Sequence, residues 1–176
     1  MQIRTQRLTL RPPKPSDAAR VSRLAGEFDV ACMTGMIPYP YEEGEARAWL
    51  ERAGGGDEGV VFAIERSGAL IGCTGYMTFD ADYAELGYWL GKPYWGAGYA
   101  TEAVRALVAH AFDAHRFAYL RAGHFADNPG SQRVLGKLGF SREGEEMRDC
   151  LARGEVLHCL TYRLDRARAA VALRRA

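Results

Sequence analysis

Tyr94-Trp95-Gly96-Ala97-Gly98-Tyr99-Ala100-Thr101-Glu102-Ala103-Val104 joins two segments of different character. Before it, Ala84-Glu85-Leu86-Gly87-Tyr88-Trp89-Leu90 is aromatic and aliphatic, free of proline and closed off by Gly91-Lys92-Pro93, which predicts a strand. After it, Val104, Leu107, Val108, Ala111 and Phe112 recur at helical spacing, with Glu102, Arg105 and Asp113 on other faces. A glycine loop therefore joins a strand to the start of a long amphipathic helix. Gly96 and Gly98 admit backbone conformations closed to other residues and let a ligand approach the main chain. The first helical N–H groups lack internal partners, and the helix dipole adds partial positive charge there. Together these predict an anion site suited to a phosphate or pyrophosphate.

A glycine pair at a helix start also makes bare turns, so the neighbouring residues must discriminate. There is no Gly-Lys-Ser/Thr, which excludes a Walker loop, and Thr101 stands where a dinucleotide fingerprint places its third glycine. The next predicted strand, Tyr119 to His124, ends in His124 and Phe125 with Asp127 beyond, not in the ribose-binding acid of a nucleotide dehydrogenase.

The 176 residues suit one domain spanning 1–176, with a basic tail from about residue 165. Such a chain buries roughly 70% of the surface that its unfolded form exposes. The 23 Lys+Arg and 22 Asp+Glu leave a net charge of +1, which argues against a dedicated nucleic-acid binder. No apolar run approaches the roughly 18 residues of a membrane span, and charges near the start occupy the place of a signal peptide's apolar core. Cys32, Cys73, Cys150 and Cys159 contain no C-x-x-C pair; Cys73 and Cys159, in apolar strand-like runs, predict buried thiols, and neither a disulfide framework nor structural zinc is expected. A cytoplasmic protein without a metal site is the expectation.

In chain order, Ile3–Arg11 reads as a first strand, stopped by Pro12-Pro13 and Pro15. Ser16-Asp17 predicts an N-cap for a helix to about Ala25. The run Glu27–Tyr41, rich in methionine and aromatics, reads either as core-filling loop or as the wall of an acceptor pocket. An acid-rich helix begins at Glu42, Gly54-Gly55-Gly56-Asp57 makes a flexible turn, and Val60–Glu65 with Leu70–Thr78 forms a hairpin around Ser67-Gly68. Asn128 followed by Pro129 predicts the start of a short helix that stops at Gly139. Phe140–Glu146 and His158–Leu164 read as final strands, and the arginines from Arg163 to Arg175 as a frayed, solvated helix end. The order predicts a mixed α/β (α+β) fold: one mostly antiparallel sheet with a parallel pair flanking the long helix.

Glu85-Leu86-Gly87-Tyr88-Trp89-Leu90, Trp95-Gly96-Ala97-Gly98-Tyr99-Ala100-Thr101-Glu102-Ala103, Asn128-Pro129-Gly130-Ser131 and Leu135-Gly136-Lys137-Leu138-Gly139-Phe140 stand in this order. That set resembles the GCN5-related N-acetyltransferases, within them the ribosomal-protein alanine N-acetyltransferase branch. Thr5-Gln6-Arg7-Leu8-Thr9-Leu10-Arg11-Pro12 and Ser16-Asp17-Ala18 resemble that branch's opening, so coverage runs from about Thr5 to Leu164. The resemblance implies a strand around Tyr88 that bulges and splays from the strand around Leu120, admitting the pantetheine arm of acetyl-CoA. It places the cofactor on Tyr88, Trp89, Leu90, the loop Trp95, Gly96, Ala97, Gly98, Tyr99, Ala100 and Thr101, and on Asn128 and Ser131. Trp95 departs from the Gln or Arg usual before Gly96, which weakens side-chain contacts to phosphate more than the backbone cradle.

Acetyl transfer to an amine needs a neutral amine, a polarised thioester, close approach and a proton for the leaving thiolate. Ser131, in the first turn of the short helix, is the expected acid, with mere capping of a free amide as the alternative. Glu85 is the expected base, with a structural ion pair as the alternative, and His124 is a rival. The resemblance implies an acceptor amine on a protein N-terminus or a small molecule; the acids of Phe28–Glu45, Asp80 and Asp82 would suit a cationic one and equally fit an ordinary solvated surface. Relatives are commonly dimers. A non-catalytic acyl-CoA-binding module and a nucleotide-binding regulatory domain are the competing classes.

Overall fold

The computed structural model describes residues 1–56 and 59–174. Asp57, in the expected flexible turn, and Arg175, in the basic tail, lie outside the described residues. Eight strands form one sheet in the order β1-β2-β3-β4-β5-β6-β8-β7. They are β1 (Ile3–Arg4), β2 (Thr9–Arg11), β3 (Val60–Arg66), β4 (Ala69–Thr78), β5 (Tyr83–Leu90), β6 (Tyr119–Phe125), β7 (Ser141–Cys150) and β8 (Glu155–Asp165). The helices are α1 (Ala18–Ala25), α2 (Phe28–Ala31), α3 (Glu43–Gly55), α4 (Tyr99–Ala114), α5 (Pro129–Lys137) and α6 (Arg166–Arg174). Every neighbouring pair is antiparallel except β5 and β6, which run parallel because α4 carries the chain across between them.

Helices cover both faces. Leu107 and Val108 of α4 pack with Leu120 and Leu164 of the sheet in the larger core. On the opposite face, Val21 and Leu24 of α1 and Leu50 of α3 meet Ala63, Leu70 and Cys73. All four cysteines are buried free thiols.

Three local expectations are corrected. The first strand is two short strands, because the Thr5 N–H donates to the Leu8 carbonyl (2.9 Å) and Leu8 N–H to Thr5 Oγ1 (3.0 Å), folding a hairpin. Asp17 occupies the N-cap position of α1 as expected, but its side chain does not cap the helix: the carboxylate accepts from Arg11 Nη1 and Nη2 (2.9 and 2.8 Å) and from the Lys14 amide (2.8 Å). The start of the C-terminal helix is docked, not frayed. Arg166 donates to the carbonyls of Phe117 and Phe112 (2.9 and 2.8 Å), and Ala169 is buried against the core.

The Arg11–Asp17 pair, with Glu65 on Arg11 Nε (2.6 Å), ties the N-terminal hairpin to α1 and β3. Burial pushes the Asp17 carboxyl up, but the Arg11 guanidinium and the Lys14 amide outweigh it and hold it below the ordinary carboxylate range. A depressed folded-state pKa contributes stability above the unfolded value, near pH 4, that disappears as pH falls through the folded one. Asp17→Asn should therefore lower unfolding free energy by about 3 kcal/mol at pH 7. The deficit should shrink as pH falls below about 4, where the unfolded chain takes up the Asp17 proton before the folded carboxylate does at its lower pKa. Urea denaturation of both proteins at pH 7 and pH 3 checks this; an equal deficit at both would show that the carboxylate charge is not what counts.

Candidate active site

The glycine loop sits where the sequence places it. Gly96 and Gly98 have φ of 76° and 81°, the left-handed region that disfavours side chains. Gly98 is the N-cap of α4, and no side chain caps it. The first bond of the helix is from the Glu102 amide to the Gly98 carbonyl (3.1 Å), so the amides of Tyr99, Ala100 and Thr101 precede it and face outward for an anion.

A strap from the N-terminal hairpin fixes this loop. Arg7 Nη1 donates to the Ala97 carbonyl (2.9 Å), Nε to Glu102 Oε2 (2.7 Å), and its guanidinium lies 4.6 Å from the Tyr99 ring centre. Glu102 also accepts from the Arg7 amide (2.8 Å) and the Thr5 hydroxyl (2.6 Å). Burial pushes the Glu102 carboxyl up, but these donors prevail and lower it. A carboxylate in the first turn would otherwise oppose an incoming anion; here its charge is matched by Arg7.

The parallel ladder of β5 and β6 runs from Tyr83↔Tyr119 to Leu86↔Ala122 and stops. Beyond it Gly87–Leu90 pair only with β4, so the two strands part as the resemblance implies. The bulge does not accompany the splay: β5 holds an unbroken register with β4 from Thr78↔Ala84 to Gly72↔Leu90. The gap opens into a cleft of about 550 Å³ that continues to the glycine loop, the first turns of α5 and the α2 segment. Of the expected cofactor residues, all but Ala97 line it. Tyr99 and Leu90 are buried in the core, so their backbone is what they offer. Trp95 Nε1 donates to the Leu90 carbonyl (2.7 Å), so this departure from the usual residue closes one acceptor of the parted edge.

Asn128 caps α5, its Oδ1 accepting from the Ser131 amide (3.0 Å). The Ser131 hydroxyl is thereby released from capping and lies 2.6 Å from the Tyr88 hydroxyl across the cleft. Burial pushes the Tyr88 phenol up to about 12, the Ser131 contact opposing.

Glu85 stands on the other face of β5 and does not line the cleft. Both its oxygens are held by Arg148 of β7, one by Nη1 and one by Nη2 (3.0 Å). The ion-pair alternative thus describes its contacts. Arg148 also holds Glu146, and Arg121 of β6 bonds Glu143 (3.1 Å). Gly123 leaves room for Arg148, since a Cβ there would come within 3.3 Å of Nη1. His124 lines the cleft and is buried, its ring nitrogens bonded to the Phe125 carbonyl (2.7 Å) and the Tyr162 hydroxyl (3.1 Å).

Val30, Met33 and Thr34 line the cleft too, so the α2 segment forms one of its walls. Arg153 of the β7–β8 turn anchors it, donating to the Cys32 carbonyl (2.8 Å) and Asp127 (2.6 Å). Four of the acids expected to attract a cation are engaged elsewhere: Asp29 with Lys92, Glu43 with Arg47 (3.1 Å), Glu45 with the Glu42 amide (3.0 Å) and Asp80 with the Asp82 amide (2.7 Å). Arg7, Arg148 and Arg153 escaped the sequence reading, because each acts on a partner distant in the chain that no local pattern names.

A family model described as the acetyltransferase (GNAT) domain matches residues 7–141. A Bacillus licheniformis protein, named as an uncharacterized N-acetyltransferase p20, is 27% identical over 147 residues, which cover 80% of this chain and 82% of that one. The ribosomal-protein-serine acetyltransferase of Escherichia coli is 30% identical over 100 residues, covering 56% of this chain and 53% of that one. The solved structure of Mycobacterium smegmatis RimJ in complex with CoA-disulfide has the same fold. It aligns with a TM-score of 0.82 at 24% identity, over 96% of this chain and 88% of that one.

The strap makes a prediction. Arg7→Ala should weaken CoA binding about 5- to 10-fold, the order of one or two lost hydrogen bonds, as read by calorimetry. Glu102→Gln, which keeps the shape but leaves Arg7 unneutralised beside the anion site, should weaken it less than Arg7→Ala. Unchanged affinity in Arg7→Ala would show that the loop holds its shape without the strap.

Proposed function

The chain belongs to the acetyltransferase (GNAT) family, an acetyl-CoA-dependent N-acetyltransferase, and we propose that acetyl passes directly to a primary amine held between α2 and the splayed end of β5. One observation carries this reading: a single cleft runs from the glycine loop, through the parted strands, past Ser131, to the wall formed by α2. The anion cradle and the α2 wall thus open on one space. Acetyl-CoA, when bound, supplies an acyl group on a thioester whose sulfur is the leaving group.

The chain's own residues then divide the work. The amides of Tyr99, Ala100 and Thr101 hold the pyrophosphate, and the free edge of Gly87–Leu90 aligns the arm that carries the acyl group. Ser131 is the acid that supplies the leaving sulfur's proton. Glu85 would serve as base only by giving up one of its two bonds to Arg148. We assign it instead to holding the β5–β6–β7 surface on the acceptor side, with water taking the amine proton.

The paired state of Asp29, Asp127 and Glu85 favours an acceptor bearing one amine over a polyamine, since no unneutralised carboxylate remains among them to receive further charges. A protein N-terminal amine, the class implied by the name of the E. coli relative, fits this reading. Acetyl-CoA supply and four free thiols accord with a cytoplasmic setting. Exposed Met147 and Val156 on the outer hairpin of the sheet support a homodimer through that edge.

The test is release of free thiol from acetyl-CoA with a panel of amines and N-terminal peptides. Acceptor-dependent release is expected, with kcat in Ser131→Ala lower by about 10²- to 10⁴-fold, the range of a general acid. Equal rates in wild type and variant would remove Ser131 from the chemistry. Tight CoA binding without release for any acceptor would favour a non-catalytic acyl-CoA-binding module. Glu85→Gln should lower kcat by less than about tenfold, short of the loss of a general base.

A further inference from the structure

We propose that Tyr88 is the positioning residue for the acid of this reaction: its phenol donates to Ser131 Oγ and leaves the serine proton free for the departing sulfur. The inference rests on the reading of Ser131 as that acid. Four observations lead to it. The hydroxyl oxygens are 2.6 Å apart, a short O–H···O bond. The Ser131 backbone amide is already satisfied by Asn128, so the serine hydroxyl is not needed for the cap. Tyr88 comes from the parted end of β5 and Ser131 from the first turn of α5, and both line the cleft, so the bond spans its two walls. His124, the nearest rival for a proton relay, is committed to Phe125 and Tyr162.

The direction of the bond follows from chemistry. A phenol is the more acidic hydroxyl and the better donor, while an aliphatic oxygen is the better acceptor. Burial keeps the phenol protonated at neutral pH, its pKa pushed up to about 12. With Tyr88 donating, Oγ accepts, and its own proton can turn only away from Tyr88, toward the cleft. The Ser131 carbonyl is the other acceptor within reach of that one proton, but at 3.5 Å it is far more stretched than Oγ at 2.6 Å.

The proton balance closes. As the carbon–sulfur bond breaks, its electron pair goes to sulfur, which takes the Ser131 hydroxyl proton. The electron pair left on Oγ takes the Tyr88 proton across the existing bond, an aliphatic alkoxide being a stronger base than a phenolate. Tyr88 recovers a proton from water in the open cleft, and the proton lost by the amine enters the same water. The net exchange is one proton from nitrogen to sulfur.

Tyr88→Phe removes only the phenol oxygen. We expect kcat for thiol release to fall about 10- to 100-fold, with CoA affinity within about twofold of wild type, because the ring still fills its place. Ser131→Ala and the double variant Tyr88→Phe/Ser131→Ala should be equally slow, since Tyr88 acts through Ser131. Ultraviolet titration of the thiolate in the enzyme–CoA complex gives a readout apart from turnover: both single variants should ionise the bound thiol at higher pH than wild type. A 3-fluorotyrosine placed at position 88 keeps shape and hydrogen bond and should restore most of the rate, which also covers a Phe variant that folds poorly.

Three results would overturn the inference. They are an unchanged kcat in Tyr88→Phe, a loss confined to KM, and a further loss when Tyr88→Phe is added to Ser131→Ala. If Ser131→Ala itself keeps full kcat, the acid assignment fails first. Failure of Tyr88→Phe alone leaves that assignment standing.

Discussion

The parting of β5 from β6 after Leu86↔Ala122 is the constraint on which the rest of this structure depends. A strand edge in the middle of a sheet exposes backbone donors and acceptors that must find partners or water. Were the ladder to continue, the cleft would not exist and α5 would have no wall to face. Because it stops, the edge is partly satisfied from within: the Trp95 indole takes the Leu90 carbonyl, and the remaining groups face a cavity wide enough for an extended ligand. The splay thus creates a binding demand of the same kind that a neighbouring strand would meet, namely main-chain hydrogen bonds along an extended partner.

The same gap aims the two helices that matter. The α4 crossover required by a parallel pair delivers its N-terminus to the mouth of the cleft, where the macrodipole and uncapped amides favour negative charge. Glu102 in that first turn would work against it. Three donors from the N-terminal hairpin, the Thr5 hydroxyl and two groups of Arg7, hold that carboxylate in place, and Arg7 also grips the loop at Ala97. Two short strands at the sheet's outer edge therefore help to shape a site set up at its centre.

Much of this was legible in the sequence. The aromatic and aliphatic run of β5, the glycines with left-handed φ and the helical spacing from Val104 to Phe112 are local signals, and each of them specified its element. Asn128-Pro129 marked the start of α5 for the same reason. What escaped was non-local. Ile3–Arg11 carries the pattern of one strand, and only the Thr5–Leu8 bonds fold it in two. Asp17 has the composition of a cap, yet a buried guanidinium from β2 competes for it and wins. Glu85 looks like a free carboxylate on an apolar strand until β7 brings Arg148 across from 63 residues away. The resemblance supplied the splay, which no periodicity encodes, but it also implied a bulge that the unbroken β4–β5 register excludes.

Pairing of charge across the acceptor side has a consequence for how the site works. Asp29, Asp127 and Glu85 each meet a cation, so around the acceptor wall attraction between fixed charges is largely spent inside the protein. Exposed members of this set contribute little on their own. The electrostatic asymmetry that remains lies at the opposite end, in the amides that open α4. A ligand with an anionic head and a neutral reactive end is drawn in by the head and meets a cleft centre where hydrogen bonds, not charges, set the geometry. The Tyr88–Ser131 contact is the shortest of these, and it crosses the cleft. Neutral hydroxyls can sit beside an uncharged thioester without the desolvation cost of an ion, and they still stabilise a thiolate as it forms. A site so arranged binds by charge at one end and reacts by proton transfer in the middle, and the splay of two strands separates those tasks in space.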